Sequence, residues 1–484
     1  GSAAWRDLGA RSEGTVRFQA LEVTPTGGAP IELWFDAGTG LLARTRHREG
    51  LHVWTTTFSD YRTVDGVTLP FLTVSDRGEP RDRQTLTITE AHLRGPQPAA
   101  AWARPATAAD RAHFTGGVDR TELPFELINN HIFISAAVDG KPVRMLVDTG
   151  GLNLLTPAAG ARLGLKAEGK LAAGGAGAQE VDLAMAPAGA LTVGAVVLDQ
   201  PVFYVIDLGA LADVEGIDFD GLVGFELFHR FVVRIDYPAR KLTLIARDHF
   251  QPPAGAAAVP FKLDGRTPIA AGSVDGIAAR ITIDTGARNS LTTHAPFTRE
   301  HKLAERYHPR FQAITGWGVG GPTLGYPVRF GEVRLGTVVL RDVAGDLFTG
   351  DRGAMADPDV SANLGGGILR RFAVTFDYAA RTMYLQDGPE RDARDTYDRL
   401  GAWLMRDGTA LRVGGVTPTG PAERAGMKVD DRILAVADQA AGTRSLADWR
   451  TWFRSQAPGT RVRIVVSRGG PREVVDVTLA ELLP

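Results

Sequence analysis

Val143-Arg144-Met145-Leu146-Val147-Asp148-Thr149-Gly150 is a hydrophobic run that stops at an acid, a hydroxyl and a glycine. The design returns as Ala279-Arg280-Ile281-Thr282-Ile283-Asp284-Thr285-Gly286. Each run predicts a β-strand that delivers a carboxylate to its C-terminal end. One Asp-Thr-Gly is a common accident; two in one longer frame are not. Val138-Asp139-Gly140 precedes the first and Val274-Asp275-Gly276 the second, while Asn153, Leu155 and Thr156 match Asn289, Leu291 and Thr292. The register is constant, since 284 − 148, 274 − 138 and 292 − 156 all give 136. Further on, Gly221-Leu222-Val223-Gly224 through Asp236-Tyr237 is echoed by Asn363-Leu364-Gly365 through Asp377-Tyr378, at an offset of 377 − 236 = 141. A duplication of this period is too long for a solenoid. It predicts two homologous lobes about a pseudo-twofold axis, each giving one triplet to a shared cleft.

The chain's 484 residues exceed one core, and 44% hydrophobic composition is ordinary for a globular chain. A net charge of −2 gives no general attraction for phosphate backbones, so nucleic acid is not an expected partner. With no cysteine, thiol catalysis, disulfides and Cys-based metal sites are excluded. No apolar run is long enough to span a bilayer, Asp199 and Gln200 interrupting the best candidate. Gly1-Ser2 has the look of a cloning scar, so a native leader is expected to be missing.

Residues 3–95 alternate in short runs such as Ile31-Glu32-Leu33-Trp34-Phe35 and Val53-Trp54-Thr55-Thr56-Thr57-Phe58, predicting an antiparallel sheet domain with one wet face. The succession from Trp34 to Pro70 weakly resembles sheet domains of bacterial lipoprotein carriers. Gly95 to Asp119 is rich in Pro and Ala without periodicity, so 96–122 is expected to be a linker. The duplicated lobes are placed at 123–250 and 256–388. From 392 to 484 the order is strand, helix opening at Pro421 and stopping at Gly426, strand, and an amphipathic helix from Leu446 to Ser455. That order, with the string Gly420-Pro421-Ala422-Glu423-Arg424-Ala425-Gly426-Met427, closely resembles a circularly permuted bacterial PDZ domain. The resemblance implies a binding loop and strand at Leu400, Gly401, Ala402 and Trp403, for capture of a C-terminal peptide, or alternatively a packing role.

Hydrolysis of an amide needs a base for water and an acid for the nitrogen. Two adjacent carboxylates that share one proton supply both. The region 123–388 resembles a single-chain aspartic peptidase with retropepsin-like lobes. The resemblance implies Asp148 and Asp284 as the catalytic pair, supported by Thr149, Gly150, Thr285 and Gly286, with no metal and no cofactor. It also implies a hydrophobic-hydrophobic-Gly segment behind each triplet. Leu222-Val223-Gly224 fits; Asn363-Leu364-Gly365 departs at its first position. Gly151 and Ala287 stand where pepsin-like enzymes place a hydroxyl that donates to the carboxylate, so a pH optimum milder than pepsin's is expected.

Gly174-Gly175-Ala176-Gly177 and Gly316-Trp317-Gly318 are expected as hairpin flaps over a polypeptide substrate, with Trp317 against it. Gly316, Gly318 and Gly321 also match G-x-G-x-x-G, but no helix pattern follows, which rejects a dinucleotide site. His294, His301 and His308, and Asp351, Asp357 and Asp359, are weak metal candidates; solvated side chains are the expected outcome. Asp236 and Asp377 fit turn positions. The expectation is thus a mostly β, multidomain peptidase of the bacterial periplasm, or a secreted one. Its rivals are an inactive peptide-binding scaffold and a lipid or lipoprotein binder acting through the N-terminal sheet, which could equally be a pro-segment.

Overall fold

The computed structural model describes residues 3–98, except 27, 50–51, 79–82, 94 and 96–97, and residues 111–483, except 180. The chain forms two compact units, Gly1–Thr107 and Ala108–Pro484.

In the first unit, seven strands from Ala3–Glu13 to Gln84–Thr87 follow one another in sequence order, each antiparallel to the next. Tight turns at Gly14, Gly40 and Gly66, all with positive φ, permit this meander. Its buried apolar residues, among those described, are Phe18, Ala20, Trp34 and Phe71. Phe18 and Trp34 pack at 5.7 Å, and Arg44 covers both rings.

The second unit is built on the repeat. The strand Lys141–Val147 stops one residue before Asp148, and Ile277–Ile283 one residue before Asp284, as the hydrophobic runs predict. Behind the first, Gly221–Val223 runs parallel to it, with Leu146 opposite Leu222. Behind the second, Ala362–Leu364 does the same, with Thr282 opposite Asn363. Short strands Leu154–Leu155 and Leu291–Thr293 close the other side of each threading segment, antiparallel to it. Asp148 N–H donates to Val223 O (3.0 Å) and Asp284 N–H to Leu364 O (2.9 Å), which fixes where each acid leaves its strand. Gly224 and Gly365 are required here by close approach. A side chain at Gly224 would collide with the carbonyls of Asp148 and Gly151, and one at Gly365 would press on those of Ala287 and Asn289.

The two copies are joined through one sheet. Val232–Asp236 pairs antiparallel with Phe372–Asp377, Asp236 opposite Ala373, so the Asp-Tyr echoes lie at opposite ends of the pairing. Asp236 accepts from Ala239 N–H (3.0 Å) and Asp377 from Ala380 N–H (2.9 Å), so both acids shape turns. A continuous apolar core runs from Ile132 and Val147 in the first copy through Tyr237 to Ile283 and Phe376 in the second.

The expected linker is corrected in part. Ala112–Phe114 pairs with Val196–Asp199, and Arg120–Pro124 pairs with Lys241–Ile245. These segments are too short to show a period of their own; partners about a hundred residues away turn them into edge strands. The remaining expected linker residues up to 110 fall largely outside the described residues.

The last domain has its own core around Leu404, Val413, Ile433, Trp449, Phe453 and Val466. Its helix Pro421–Arg424 opens on proline and is followed by Gly426 in the left-handed region. The helix Leu446–Ser455 is held by a reciprocal cap between Ser445 and Asp448. The strand Ala402–Asp407 forms one edge of its sheet.

Candidate active site

The two Asp-Thr-Gly turns interlock. Thr149 N–H donates to Thr285 Oγ1 (3.0 Å), and Thr285 N–H donates to Thr149 Oγ1 (3.2 Å). Each hydroxyl then donates across to the other copy, Thr149 to Ile283 O (2.8 Å) and Thr285 to Val147 O (2.9 Å). Both threonines are completely buried, and both of their backbone N–H groups and both hydroxyls have partners there. A serine's missing methyl or a valine's missing hydroxyl would each spoil part of this lock. Tyr378 adds a hydrogen bond from its hydroxyl to Thr149 O (2.8 Å).

The lock brings Asp148 and Asp284 together. A side chain added at Gly286 would come within 2.5 Å of Asp148 Oδ2, so only glycine lets the second turn approach the first acid. Gly150 is held likewise, facing Thr267 at 2.7 Å. Asp148 Oδ1 accepts from the N–H groups of Gly150 (3.1 Å) and Gly151 (3.0 Å). Asp284 Oδ1 accepts from Gly286 N–H (2.8 Å). Burial, and then the charge of Asp284, push the Asp148 carboxyl up to about 7. Asp284 is also raised, by burial, against the opposing donors of Asn363 and Gly286. Two acids so placed cannot both ionise near neutral pH; one proton stays on the pair.

Three neighbours complete the site; Asn363 was noted in the sequence only as an irregularity, and His131 and Glu215 were not singled out. Asn363 donates its side-chain N–H to Asp284 Oδ2 at 2.8 Å, from the very position where the threading motif departs from pattern. His131 is buried, with Nε2 3.0 Å from Gly286 O and Nδ1 3.1 Å from Glu215. Burial works against the charge on Glu215, but His131, Arg288 and Arg450 outweigh it and hold the carboxyl down at about 2. Register arithmetic could have pointed to His131, because 131 + 136 = 267 and Thr267 faces the first triplet just as His131 faces the second.

The expected hairpins meet each other at their tips. The turn 174–179 joins Glu168–Ala173 to Val181–Pro187, and the second hairpin joins Ala313–Gly318 to Gly321–Leu335. Their tips are hydrogen-bonded, Gly177 N–H to Val319 O (2.9 Å) and Gln179 N–H to Gly320 O (3.3 Å). Gly175 and Gly318 lie where a side chain would strike the opposite tip. Gly174 borders the contact and Gly316 packs on Thr323. Trp317 is placed differently from expectation. Its ring stacks on Trp403 of the last domain, 6.4 Å between centroids and 27° between planes, because that domain docks against the second hairpin.

The expected peptide-binding loop of the last domain is also engaged from within. Asp398 accepts from Gly401 N–H (2.5 Å) and Leu400 N–H (3.3 Å). Ala402 opens the edge strand beyond them, and Arg450 on the facing helix donates to Leu404 O (2.7 Å) across the groove. Trp403 carries the Arg288 guanidinium 4.1 Å from its ring centre. The donors that would take a peptide carboxylate are therefore occupied by Asp398, an arrangement that fits the packing alternative at these residues.

Among the described residues no three His, Asp or Glu side chains have a metal-holding arrangement. His294 is buried with Nδ1 3.3 Å from Asp357 O, and burial pushes it down to about 4. His301 packs on Phe297, and His308 ends the helix Leu303–Tyr307. Asp357 accepts from Asp359 N–H within its own loop, and Asp351 lies in a bend.

Comparison with known proteins agrees with this build. Residues 134–227 match the aspartyl protease family model and residues 412–468 the PDZ domain model. The chain is similar to a retropepsin-like aspartic protease from Rickettsia conorii, 24% identical, covering 26% of this chain and 92% of that one, with a TM-score of 0.20. No match was found among curated proteins. The protein is mostly β, with a region that matches the aspartyl protease family and a PDZ domain.

Proposed function

We propose that the protein is an aspartic endopeptidase in which Asp148 and Asp284 share one proton and activate water against a peptide bond. The observation that carries this is the reciprocal Thr149–Thr285 lock, which has no use in a turn that merely caps a strand. The buried, charge-coupled carboxyls supply the acid and the base together. The hairpins, hydrogen-bonded tip to tip, would close over the substrate and exclude water. Since the Asp148 carboxyl is pushed to about 7, the singly protonated pair extends to near-neutral pH, milder than pepsin's range. Burial, rather than the missing hydroxyls at 151 and 287, is the larger cause.

The test is digestion of an unfolded protein across pH by the wild type, Asp148→Asn and Asp284→Asn. The expected result is wild-type cleavage that falls as pH rises above about 7, with each variant reduced at least ~10³-fold, comparable to losing one member of a catalytic unit. Equal cleavage by all three sinks the mechanism. Silence from the wild type at every pH leaves a peptide-holding scaffold in its place. The same reading places the protein in the bacterial envelope, processing or clearing other proteins, on the strength of the protease and PDZ pairing. Fractionation of cells producing the full-length gene product checks it, and a cytoplasmic product would overturn it.

A further inference from the structure

The two carboxyls are not equivalent, and the difference lies in a single side chain of the repeat. At the offset 363 − 222 = 141, the same as 377 − 236, the first copy has Leu222 and the second Asn363. Leu222 sits opposite Leu146 among apolar neighbours, whereas Asn363 sits opposite Thr282 and reaches Asp284. We propose that Asn363 polarises the pair: Asp284 holds the negative charge and takes the proton of water, and Asp148 carries the shared proton and gives it to the substrate carbonyl. This rests on the peptidase reading and assigns roles within it.

Geometry carries the assignment. Asp284 receives donors on both oxygens, Gly286 N–H on Oδ1 and Asn363 Nδ2 on Oδ2. Asp148 receives both of its backbone donors on Oδ1, and among the described residues no protein donor reaches its Oδ2. Donors to both oxygens favour the ionised form; a free oxygen beside a carboxylate is the natural seat of a proton. Folding alone does not explain Asn363. Its Oδ1 is buried without a hydrogen-bond partner, a cost that a leucine, as in the first copy, would not incur. An unsatisfied polar atom kept at this point suits a role in chemistry.

The other groups facing the pair do not make this distinction. His131 approaches from Gly286 O and favours the charge on both acids. Glu215 and Arg288 lie behind His131. Tyr237 and Tyr378 are kept neutral by burial. Gly150 and Gly286 are matched backbone donors, and the extra donor on Asp148, Gly151 N–H, falls on the Oδ1 that Gly150 already occupies and leaves Oδ2 free.

The reaction then balances. Water oxygen bonds to the carbonyl carbon as its proton passes to Asp284, and the Asp148 proton passes to the carbonyl oxygen. The product of this step is a neutral gem-diol with the charge now on Asp148. On collapse the C–N bond breaks, Asp284 protonates the nitrogen, and one diol hydroxyl returns its proton to Asp148. The pair ends as it began, and the products are an acid and an amine.

The experiment follows the Asp carboxyl carbons by NMR in 13C-labelled protein across pH, alongside kcat/KM for cleavage, in wild type, Asn363→Ala and Asn363→Ser. In wild type Asp284 should titrate below Asp148. Removing the donor in Asn363→Ala should raise the Asp284 transition by about one pH unit and carry the acidic limb of kcat/KM with it, a tenfold loss on that limb. Asn363→Ser, which keeps a donor, should stay within about half a unit of wild type. The proposal is overturned if Asp148 titrates first, if folded Asn363→Ala leaves the Asp284 transition unmoved, or if Ala and Ser shift it alike. A wild type that cleaves nothing refutes the peptidase reading instead, and the carboxyl titration still decides which acid is charged.

Discussion

Asp148 shows how a residue's surroundings, rather than its sequence neighbours, set its chemistry. Burial pushes its carboxyl to about 7, with the charge of Asp284 as the second cause. In the unfolded chain the same group sits near 3.9. A folded value above the unfolded one means that the folded state favours the protonated form. This contribution to stability is therefore complete below about pH 4 and is lost as pH rises toward about 7. Asp346, pushed by burial to about 6 despite hydrogen bonds from Thr292, Thr315 and Asn289, acts in the same direction. Glu215, held at about 2, acts oppositely, losing its contribution only as pH falls from the ordinary glutamate range toward 2. Asp148→Asn removes the first of these. Thermal unfolding at pH 4.5 and pH 7 should show a smaller drop on going to pH 7 in the variant than in wild type. An unchanged drop would mean that Asp148 ionises in the folded protein as it does in the unfolded chain.

At the scale of elements, the strands that carry the acids were legible because two independent signals coincide on them. Hydrophobic runs gave Lys141–Val147 and Ile277–Ile283 their β character, and the constant register of 136 tied their ends to one cleft. The segments Ala112–Phe114 and Arg120–Pro124 were illegible because they become strands only by pairing with Val196–Asp199 and Lys241–Ile245. Asn363 was visible only as an irregularity; what it does depends on the side chain facing it from another strand. The lock between the turns makes a prediction at this scale. Thr285→Val keeps the shape but removes the donor to Val147 O and the acceptor of Thr149 N–H. Each buried group left without a partner costs about 1–3 kcal/mol, so the variant should lose roughly 2–5 kcal/mol in denaturant unfolding. Thr285→Ser, which retains the hydroxyl, should lose less than half as much. Equal losses would assign the role of Thr285 to methyl packing and not to the lock.

Across the second unit, the PDZ domain is docked on the two duplicated copies rather than tethered beside them. Arg371 pairs with Asp395 at 2.7 Å where both are buried, and Ser290 donates to the same carboxylate at 2.8 Å. Arg406 reaches Asp213 (3.3 Å) and Asp218 (2.5 Å) on the first lobe. Arg288, two residues past the second triplet, lies on Trp403, whose ring also stacks on Trp317 of the hairpin. Stacked rings and a guanidinium over an indole are favourable contacts that peptide entry would have to break. The carboxylate of Asp398 already fills the Leu400 and Gly401 donors. A sequence signature for a PDZ domain is local and so was readable; whether its groove is open depends on long-range packing, which no local pattern encodes. A fluorescent peptide with an apolar last residue and a free carboxylate should therefore show no saturable anisotropy change with the wild-type chain up to about 100 μM, a threshold near 5.5 kcal/mol of binding free energy. Asp398→Ala frees the backbone donors and should raise binding of the carboxylate peptide but not of its amide. Low-micromolar binding by the wild type would show that Asp398 yields readily to a ligand, and would make the docked arrangement of Trp403 and Trp317 one state of two.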